Sequence, residues 1–556
     1  MQRLELTWIG KGEEPAVEPR ILLHDLSKDY GDPNTENMLI HGDNLLALKA
    51  LEQQYAGQVK CIYIDPPYNT GEAFEYYDDN LEHSIWLGLM KARLEILYNL
   101  LADDGFFCCQ IDDSEGHYLK VMLDEIFGRN GYYQSTIYVR VRYPEKTLKQ
   151  DMSFHKEIEQ VHIYRKTAAA KPKLDRVEVG YEKFKYKITT TASPDKILEL
   201  GGKKVEVFYK DNYEIIEEEG SEYGLKEIWA SGTILDGNSS GRFFRDYLTG
   251  RYEDDGYGVI YKVYGIGDDR FDYRFFTGPN REGATKGKYY QGVPLEKLQS
   301  GEMTREVPIS GFLDLAANFG NCRHEGGSEF RGGKKPEILI YTLLKHFSNP
   351  GDLVLDSFLG SGTTAAVAHK MGRRYIGIEL GEHCYTLCKP RLDRVIDGEQ
   401  TGISKEVNWQ GGGGYKFYEL APSIIEKDKY GNPIISSQYN SNMLIAAVAK
   451  LNGYSYAPDP DVFWKQGFSQ DKSYIYVTTN YLDSKMLDSI AADLGGMESL
   501  LVCAPAFDIG LDKRYDNIQV KKIPQSVLDK CEYGVDNYNL NVVEIPIIDE
   551  EEWEDD

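Results

Sequence analysis

A buried strand that ends abruptly in a proline-stiffened turn constrains the fold of this chain more than any other feature. The apolar run Val59–Ile64 is followed directly by Asp65, Pro66, Pro67 and Tyr68. Two consecutive prolines fix φ at both positions and remove two backbone donors, so the turn cannot pair within a sheet. The strand therefore ends at a rigid, polar edge.

This turn has the groups needed to receive a flat molecule that bears an exocyclic amine. Asp65 and the carbonyl of Pro66 can accept the two N–H bonds of the amine, and Tyr68 can stack on the ring. An ordinary strand-to-loop turn is the alternative, because Asp-Pro and Pro-Pro dipeptides are common in turns.

Length and composition limit the class of protein. A chain of 556 residues is too long for one core, so two to three domains are expected. No apolar run reaches about 18 residues, so no membrane span is predicted. The N-terminus shows no basic-then-apolar signal pattern. Eight scattered cysteines show no zinc spacing. We therefore expect a cytoplasmic protein with reduced thiols and no metal.

The formal net charge of −26 restricts how the chain could bind nucleic acid. Contacts with phosphates need local Lys and Arg, so a DNA-binding face would be a basic patch on an acidic body. Part of the excess negative charge lies in an acidic tail, residues 549–556, in which seven of eight residues are acidic.

Strand-like apolar runs alternate with stretches of helical periodicity on both sides of a long middle segment. Such alternation predicts an α/β fold with a mostly parallel sheet covered by helices on both faces. In the middle segment Gly, Tyr, Asp and Arg crowd together and the periodicity is lost. The expected domains are an N-terminal arm (1–37), a sheet domain in two parts (38–166 and 332–415), an insertion (167–331), a C-terminal α/β domain for dimerisation or partner binding (423–548) and the acidic tail (549–556).

A glycine-rich loop follows the second half's first buried strand and opens a helix. Its sequence, Asp356-Ser-Phe-Leu-Gly360-Ser-Gly362-Thr-Thr-Ala365, also fits the dinucleotide fingerprint, which makes an NAD-linked oxidoreductase an alternative. However, the charge of Asp356 would oppose a pyrophosphate at the helix N-terminus. An aspartate here suits a cofactor with a cationic head, such as S-adenosylmethionine, whose ribose hydroxyls Glu379 could accept.

The receptor turn and the glycine loop together resemble the paired signatures of DNA amino-methyltransferases. The receptor motif precedes the cofactor motif, and this circularly permuted order is similar to that of the β-class adenine-N6 enzymes. Longer stretches, including Gly42–Lys49, Tyr63–Gly71, Lys335–Ile340 and Gly411–Phe417, resemble the modification (Mod) subunits of type III restriction systems. The resemblance implies a Rossmann-like methyltransferase sheet.

The resemblance also implies roles for individual residues. The target amine and base are held by Asp65, Pro66, Pro67 and Tyr68. The cofactor is held by Asp43, Asn44, Asn69, Thr70, Lys335, Pro336, Asp356, Phe358, Gly360, Gly362, Thr363 and Glu379. A helix cap is the alternative for Asp43, and a solvated helix start is the alternative for Lys335.

The implied activity is site-specific transfer of a methyl group from S-adenosylmethionine to N6 of an adenine flipped out of double-stranded DNA. Positioning does most of the catalysis, and no covalent intermediate is needed. The implied partners are a separate helicase or nuclease restriction subunit and a second copy of this chain. Cytosine-N4 methylation is an alternative, although such enzymes usually carry Ser in place of Asp65. A non-catalytic DNA-recognition subunit is a second alternative.

Sequence readout is expected in the insertion, where arginines are interleaved with aromatic residues. The predicted DNA-binding residues there are Arg242, Arg245, Arg274 and Arg281. A second basic stretch, which contains Arg140 and Arg142, is expected to contact phosphates.

Overall fold

The structure is a computed structural model in which the chain forms two compact units. The first unit combines residues 1–173 with 310–556, and the second covers Leu174–Ile309. The described residues are 5–12, 17–18, 20–69, 83–128, 131–144, 154–178, 180–230, 239–300, 304–327, 333–427, 433–436, 438, 441–469 and 472–523.

The strands are numbered in chain order. Those before the second unit are β1 (Leu22–His24), β2 (Tyr30–Gly31), β3 (Met38–His41), β4 (Val59–Ile64), β5 (Leu101–Ile111), β6 (Tyr133–Arg140) and β7 (Ile158–Arg165). Those of the second unit are β8 (Asp175–Glu178), β9 (Tyr186–Thr190), β10 (Lys196–Leu200), β11 (Lys203–Phe208), β12 (Tyr213–Glu217), β13 (Lys226–Trp229), β14 (Ile260–Tyr264), β15 (Tyr273–Thr277), β16 (Lys288–Gln291) and β17 (Thr304–Val307). The remaining strands are β18 (Phe312–Asp314), β19 (Leu353–Asp356), β20 (Arg374–Glu379), β21 (Gly414–Leu420), β22 (Ile425–Lys427), β23 (Pro433–Ile435), β24 (Ser455–Tyr456), β25 (Gly467–Ser469), β26 (Ser473–Val477), β27 (Ser499–Ala504) and β28 (Ile518–Lys522).

The helices are numbered in the same way. They are α1 (Asn44–Tyr55), α2 (His83–Leu100), α3 (Gly116–Leu123), α4 (Ser239–Phe243), α5 (Tyr252–Asp255), α6 (Leu295–Ser300), α7 (Ala316–Asn321), α8 (Glu337–Phe347), α9 (Thr363–Lys370), α10 (Lys389–Ile396), α11 (Ser441–Leu451) and α12 (Ser484–Asp493).

One large sheet organises the first unit. Its strand order is β1-β21-β3-β20-β19-β4-β5-β7-β6-β18, with β2 also paired to β21. The central strands β21, β3, β20, β19, β4 and β5 run parallel to one another. At the two ends of this group, β1 and β2 are antiparallel to β21, and β7 is antiparallel to both β5 and β6. The predicted mostly parallel α/β sheet is confirmed.

Helices cover both faces of this sheet and bury its apolar side chains. On one side Leu48 of α1, Leu94 of α2 and Leu119 of α3 belong to the same buried cluster as the strand residues Ile62 and Leu355. On the other side Phe347 of α8 lies with its ring centroid 4.7 Å from that of Phe106 in β5. The central strands are largely apolar because both of their faces are buried.

The structure corrects two predicted boundaries. The predicted arm, 1–37, contains β1 and β2, which pair with β21 and extend the large sheet. The predicted insertion, 167–331, is longer than the second compact unit, because β18 pairs in parallel with β6 and returns the chain to the large sheet. The acidic tail, 549–556, lies outside the described residues.

The second unit has a β fold of its own. Its main sheet has the order β10-β11-β14-β15-β16-β13, and the pairs β9–β12 and β8–β17 form two further small sheets. Val205, Val263 and Phe276 are buried in its core.

The C-terminal part of the first unit contains a separate sheet with the order β24-β25-β26-β27-β28. In it β26, β27 and β28 are parallel, as expected for an α/β domain, and Leu487 of α12 packs in the core beneath them. Among all the described residues, no helix combines the length and the apolar composition needed to cross a bilayer.

Candidate active site

Three acidic residues stand at the carboxyl ends of three adjacent parallel strands. Asp65 follows β4, Asp356 ends β19 and Glu379 ends β20. The strands are direct neighbours, with Leu355 paired to Ile62 on one side and Ile376 on the other. The two halves of the sheet domain meet between β4 and β19, and in open α/β sheets the crevice at such a carboxyl edge is where ligands bind.

The glycine loop between β19 and α9 is held by the Asp356 carboxylate. Its Oδ1 accepts the backbone N–H of Phe358 at 2.9 Å, and its Oδ2 accepts the Thr364 hydroxyl at 2.6 Å. Gly360 and Gly362 have φ values of 56° and 80°, a left-handed conformation that side chains disfavour. The loop sequence is therefore explained by a tight backbone turn around one carboxylate.

Burial raises the pKa of Asp356 to about 7. The hydrogen bonds from Thr364 and Phe358 oppose this shift, while the neighbouring carboxylates of Asp65 and Glu379 add to it. A cationic group placed at this edge would favour the charged form of Asp356. The carboxylates of this site are thus better matched to a cation than to a phosphate.

Glu379 ties the glycine loop to the end of β20. One of its carboxylate oxygens accepts the N–H of Gly360 at 2.6 Å, and the other accepts the N–H groups of Leu380 and Gly381 at 2.9 and 3.1 Å. The sequence predicted that Glu379 would accept ribose hydroxyls. The structure places it at the loop and adds a scaffolding role that the sequence did not indicate.

The receptor turn is held by a buried lysine. Nζ of Lys335 lies 2.8 Å from Oδ2 of Asp65 and 5.0 Å from the ring centroid of Tyr68. Lys335 is 7% exposed, so it is not part of a solvated helix start. The resemblance assigned Lys335 to the cofactor, whereas the structure places its ammonium beside Asp65.

Burial raises the pKa of Asp65, and the Lys335 ammonium opposes that shift. For Lys335 burial alone would lower the pKa, but Asp65 and Glu159 raise it above the ordinary value. The Tyr68 hydroxyl lies 2.8 Å from Oδ1 of Asp65. Among the described residues, Oδ1 of Asp65 is bound by Tyr68 and Oδ2 by Lys335.

The structure adds Glu159 to this site, a residue that the sequence did not single out. Its Oε2 lies 2.8 Å from the Tyr68 hydroxyl and 3.8 Å from Nζ of Lys335, and it also accepts a hydrogen bond from Gln110. Glu159 stands near the start of β7, and because β7 runs antiparallel to β5, that end lies at the carboxyl edge. The sequence did offer one signal for Glu159, because it is an acidic residue near the start of an otherwise buried strand.

Asp43 and Asn44 lie at the start of α1, beside the glycine loop. Asp43 caps the helix by accepting the N–H of Leu46 at 3.0 Å, as the alternative prediction had it. Asn44 donates to the carbonyl of Ser357 at 2.8 Å and accepts from the buried Arg93 at 2.5 Å. Asn44 therefore holds the start of the loop, and Asp43 holds the start of the helix.

The remaining predicted cofactor residues surround the same edge. Pro336 is the N-cap of α8, and the Thr363 hydroxyl donates to the carbonyl of Lys335 at 3.2 Å. Asn69 adopts a left-handed φ of 58° and donates to Glu115 at 2.6 Å. Thr70 lies outside the described residues.

Pro66 and Pro67 continue the turn as predicted. Pro66 is buried, and the carbonyl of Pro67 accepts the indole N–H of Trp86 at 2.9 Å. This bond anchors the turn to α2.

The predicted DNA-binding arginines differ in exposure. Arg242, Arg245 and Arg281 are exposed, and Arg245 pairs with its neighbour Asp246 at 2.7 Å. The prediction for Arg274 is wrong, because this residue is 4% exposed and its guanidinium is bound to Asp269 at 2.9 Å. Burial within the second unit and the ion pair with Asp269 account for this arginine without any contact with DNA.

The two arginines of the second basic stretch also have partners within the chain. Arg140 lies 3.2 Å from Asp314 and 3.3 Å from Glu157, and Arg142 donates to the carbonyl of Lys156 at 3.2 Å. Both are partly exposed, so contact with phosphates remains a prediction.

Comparison with known proteins identifies the family. A model of the DNA methylase family matches residues 59–390, which include the receptor turn and the glycine loop. The chain is similar to the type III restriction-modification enzyme HindVI Mod subunit of Haemophilus influenzae, with 35% identity over 413 residues, or 70% of this chain and 54% of that one. It is also similar to the StyLTI Mod subunit of Salmonella typhimurium, with 27% identity over 64% of this chain and 52% of that one.

The chain thus spans about half the length of these two curated relatives. The solved structure of the M1.HpyAVI–SAM complex is matched at 13% identity with a TM-score of 0.30, over 64% of this chain and 99% of that one. The predicted resemblance to type III modification subunits is confirmed. The family match covers more than half of the sequence, and the chain therefore belongs to the DNA methylase family of N6 and N4 methyltransferases.

Proposed function

We propose that this chain methylates N6 of adenine in double-stranded DNA, with S-adenosylmethionine as the methyl donor. The observation that carries this proposal is that the amine receptor at Asp65 and the glycine loop at Asp356 follow two directly paired parallel strands. A donor on the loop and an amine on the turn would meet at one edge of the sheet. The modification subunits to which the chain is similar support the same activity.

The residues of the glycine loop fit the proposed cofactor. The Ser357 hydroxyl is buried and has no hydrogen-bond partner among the described residues, so it is available to a ligand. Asp356 and Glu379 supply negative charge, which suits the ammonium and the sulfonium of S-adenosylmethionine. When bound, this cofactor supplies an electrophilic methyl group on a positively charged sulfur.

The receptor turn would prepare the target nitrogen. The N6 lone pair of adenine is delocalised into the ring, which makes the amine a poor nucleophile. If Asp65 and the Pro66 carbonyl accept both N–H bonds, the nitrogen can become tetrahedral and direct its lone pair towards the methyl group. The base must leave the duplex at a cost of a few kcal/mol, and stacking on Tyr68 offsets part of this.

The proposed partners are double-stranded DNA, a second copy of the chain and a separate restriction subunit. The similar proteins are named Mod subunits of type III enzymes, which supports a role as the modification component. We place the activity in the cytoplasm, in keeping with seven free, buried cysteines among the described residues.

The direct test is methyl transfer in vitro. The purified chain is incubated with methyl-labelled S-adenosylmethionine and plasmid DNA from a host that lacks DNA methyltransferases, and the labelled nucleoside is identified by mass spectrometry. We expect N6-methyladenine. N4-methylcytosine would show that the cytosine alternative is right, and cofactor binding without any transfer would favour the non-catalytic recognition subunit.

A further inference from the structure

The Tyr68 hydroxyl lies between two carboxylates. It is 2.8 Å from Oδ1 of Asp65 and 2.8 Å from Oε2 of Glu159. A hydroxyl has one proton and can donate to one acceptor at a time. Two close contacts to carboxylate oxygens are therefore both favourable when one further proton is present, so that one carboxyl group donates to the tyrosine oxygen while the tyrosine donates to the other.

The ammonium of Lys335 completes a balanced cluster. It lies 2.8 Å from Asp65 and 3.8 Å from Glu159. Two carboxyl groups that share one proton have a net charge of −1, which the +1 of Lys335 neutralises. A neutral cluster is what a buried site can hold without a large desolvation cost.

Glu159 is itself fixed for this contact. It sits near the start of β7, where Gln160 pairs with Ile111 of β5. Gln110 donates to the same Oε2 atom that faces Tyr68, and Gln110 in turn accepts the Tyr63 hydroxyl at 2.5 Å. The orientation of the Glu159 carboxylate is thus fixed by side chains of the sheet.

We propose that Glu159 is a positioning residue for methyl transfer, which shares one proton with Asp65 through the Tyr68 hydroxyl and so controls when Asp65 can accept the target amine. This inference rests on the proposed function. Asp65 can accept an N–H bond of the target amine only as a carboxylate. The shared proton must therefore leave Asp65 before the amine is bound.

The charges of this cluster predict how the pH dependence of methyl transfer changes when each member is replaced. Among the described residues, the titratable and charged groups that face Asp65 are Tyr63 on β4, Tyr68 on the turn, Cys109 on β5, Glu159 on β7, Asp356 on β19 and Lys335 before α8. Burial raises the pKa of Asp65, Glu159 raises it further, and Lys335 and Tyr68 lower it. Removing Glu159 and removing Lys335 should therefore have opposite effects.

The experiment measures the single-turnover rate of methyl transfer to unmethylated plasmid DNA between pH 5 and 9. In Glu159→Gln, loss of the negative neighbour should move the acid limb of the profile to lower pH, by about one unit. In Lys335→Met the acid limb should move to higher pH by a similar amount. Glu157→Gln is the matched control, since Glu157 lies two positions away and pairs with Arg140, and its profile should stay with the parent.

Tyr68→Phe provides an independent variant in case Glu159→Gln does not fold. It removes the hydroxyl that bridges the two carboxylates and should move the acid limb to higher pH. Cofactor affinity, measured by calorimetry, should remain within about twofold of the parent in Glu159→Gln and Tyr68→Phe. Acid limbs that stay unchanged, or that move in the same direction in the glutamate and lysine variants, would overturn the inference.

The same data separate this inference from the proposed function. If the parent transfers methyl groups to adenine but the acid limbs do not move as described, the inference fails and the function stands. If the parent binds the cofactor and methylates no base over the whole pH range, the function fails and the inference fails with it.

Discussion

Nζ of Lys335 lies 2.8 Å from Oδ2 of Asp65, and this contact joins the segment just before α8 to the turn that follows β4. This contact links the two halves of the sheet domain at the amine receptor. A lysine in that place keeps a buried carboxylate available as an acceptor, because burial alone favours its protonated form.

The first prediction separates base handling from cofactor binding. Because Asp65 belongs to the receptor turn, Asp65→Ala should reduce methyl transfer by about a hundredfold to a thousandfold, the range found when one positioned polar group is removed from an active site. Cofactor affinity measured by calorimetry should stay within about threefold of the parent. Asp113→Ala removes an exposed carboxylate at the same edge and should change neither quantity. Loss of cofactor affinity in folded Asp65→Ala would contradict this role.

The second prediction concerns Glu379. Its carboxylate accepts three backbone N–H groups of the loop and the following turn, and we expect it to accept ribose hydroxyls as well. Charge-assisted hydrogen bonds contribute roughly 1.5–3 kcal/mol each, so Glu379→Ala should weaken cofactor binding tenfold or more. Glu382→Ala changes the same charge at an exposed position nearby and should bind normally. If Glu379→Ala binds the cofactor as tightly as Glu382→Ala and the parent do, this strand end does not hold the cofactor.

The third prediction concerns sequence readout by the second unit. If Arg242 or Arg245 is bidentate to a guanine, its replacement by Ala should remove about 1–3 kcal/mol of discrimination at one base pair. If either contacts phosphate, binding should weaken evenly across sites with a shallower salt dependence. A library of DNA sites assayed at several salt concentrations distinguishes the two. The control is Arg305→Ala, which replaces an exposed arginine outside this cluster. If Arg242→Ala and Arg245→Ala behave like this control, neither arginine contacts DNA.

The fourth prediction follows from the correction of Arg274. Its guanidinium is buried against Asp269, so Arg274→Ala leaves a buried carboxylate without its cation. Breaking such a pair from one side typically costs about 3–5 kcal/mol. Urea denaturation should show this loss, whereas Arg281→Ala at an exposed position should cost well under about 1 kcal/mol. A fully stable Arg274→Ala protein with altered site preference would restore the DNA-binding role.

The fifth prediction is a pH dependence of stability. The pKa of Asp356 in the folded chain is about 7, above its ordinary value of 3.8. Between these values the folded state binds more protons than the unfolded state, so the contribution of this group to the free energy of unfolding falls as pH rises. Denaturation of the parent and of Asp356→Asn at pH 4, 5, 6, 7 and 8 should show a difference that declines by up to about 1.4 kcal/mol per pH unit until about pH 7. A constant difference would contradict the raised pKa.

The sequence predicted the strands that end at the site because each of them can be recognised from its own residues and the turn that follows. Val59–Ile64 is apolar and is stopped by two prolines, and the loop after Asp356 needs glycines where φ is positive. Glu159 was missed because its strand is antiparallel and its relation to Tyr68 depends on pairing between distant segments. Arg274 was misassigned since a short β motif does not reveal which side chains face inward. The insertion boundary was misplaced because β18 is three residues long.

The measurement that tests the central claim most directly is sequencing of modified bases in DNA from a host that lacks its own DNA methyltransferases and expresses this chain or its Asp65→Ala variant. The account predicts N6-methyladenine at one defined sequence with the parent and none with the variant, although both proteins bind S-adenosylmethionine. N4-methylcytosine, or the same N6-methyladenine from both proteins, would contradict it.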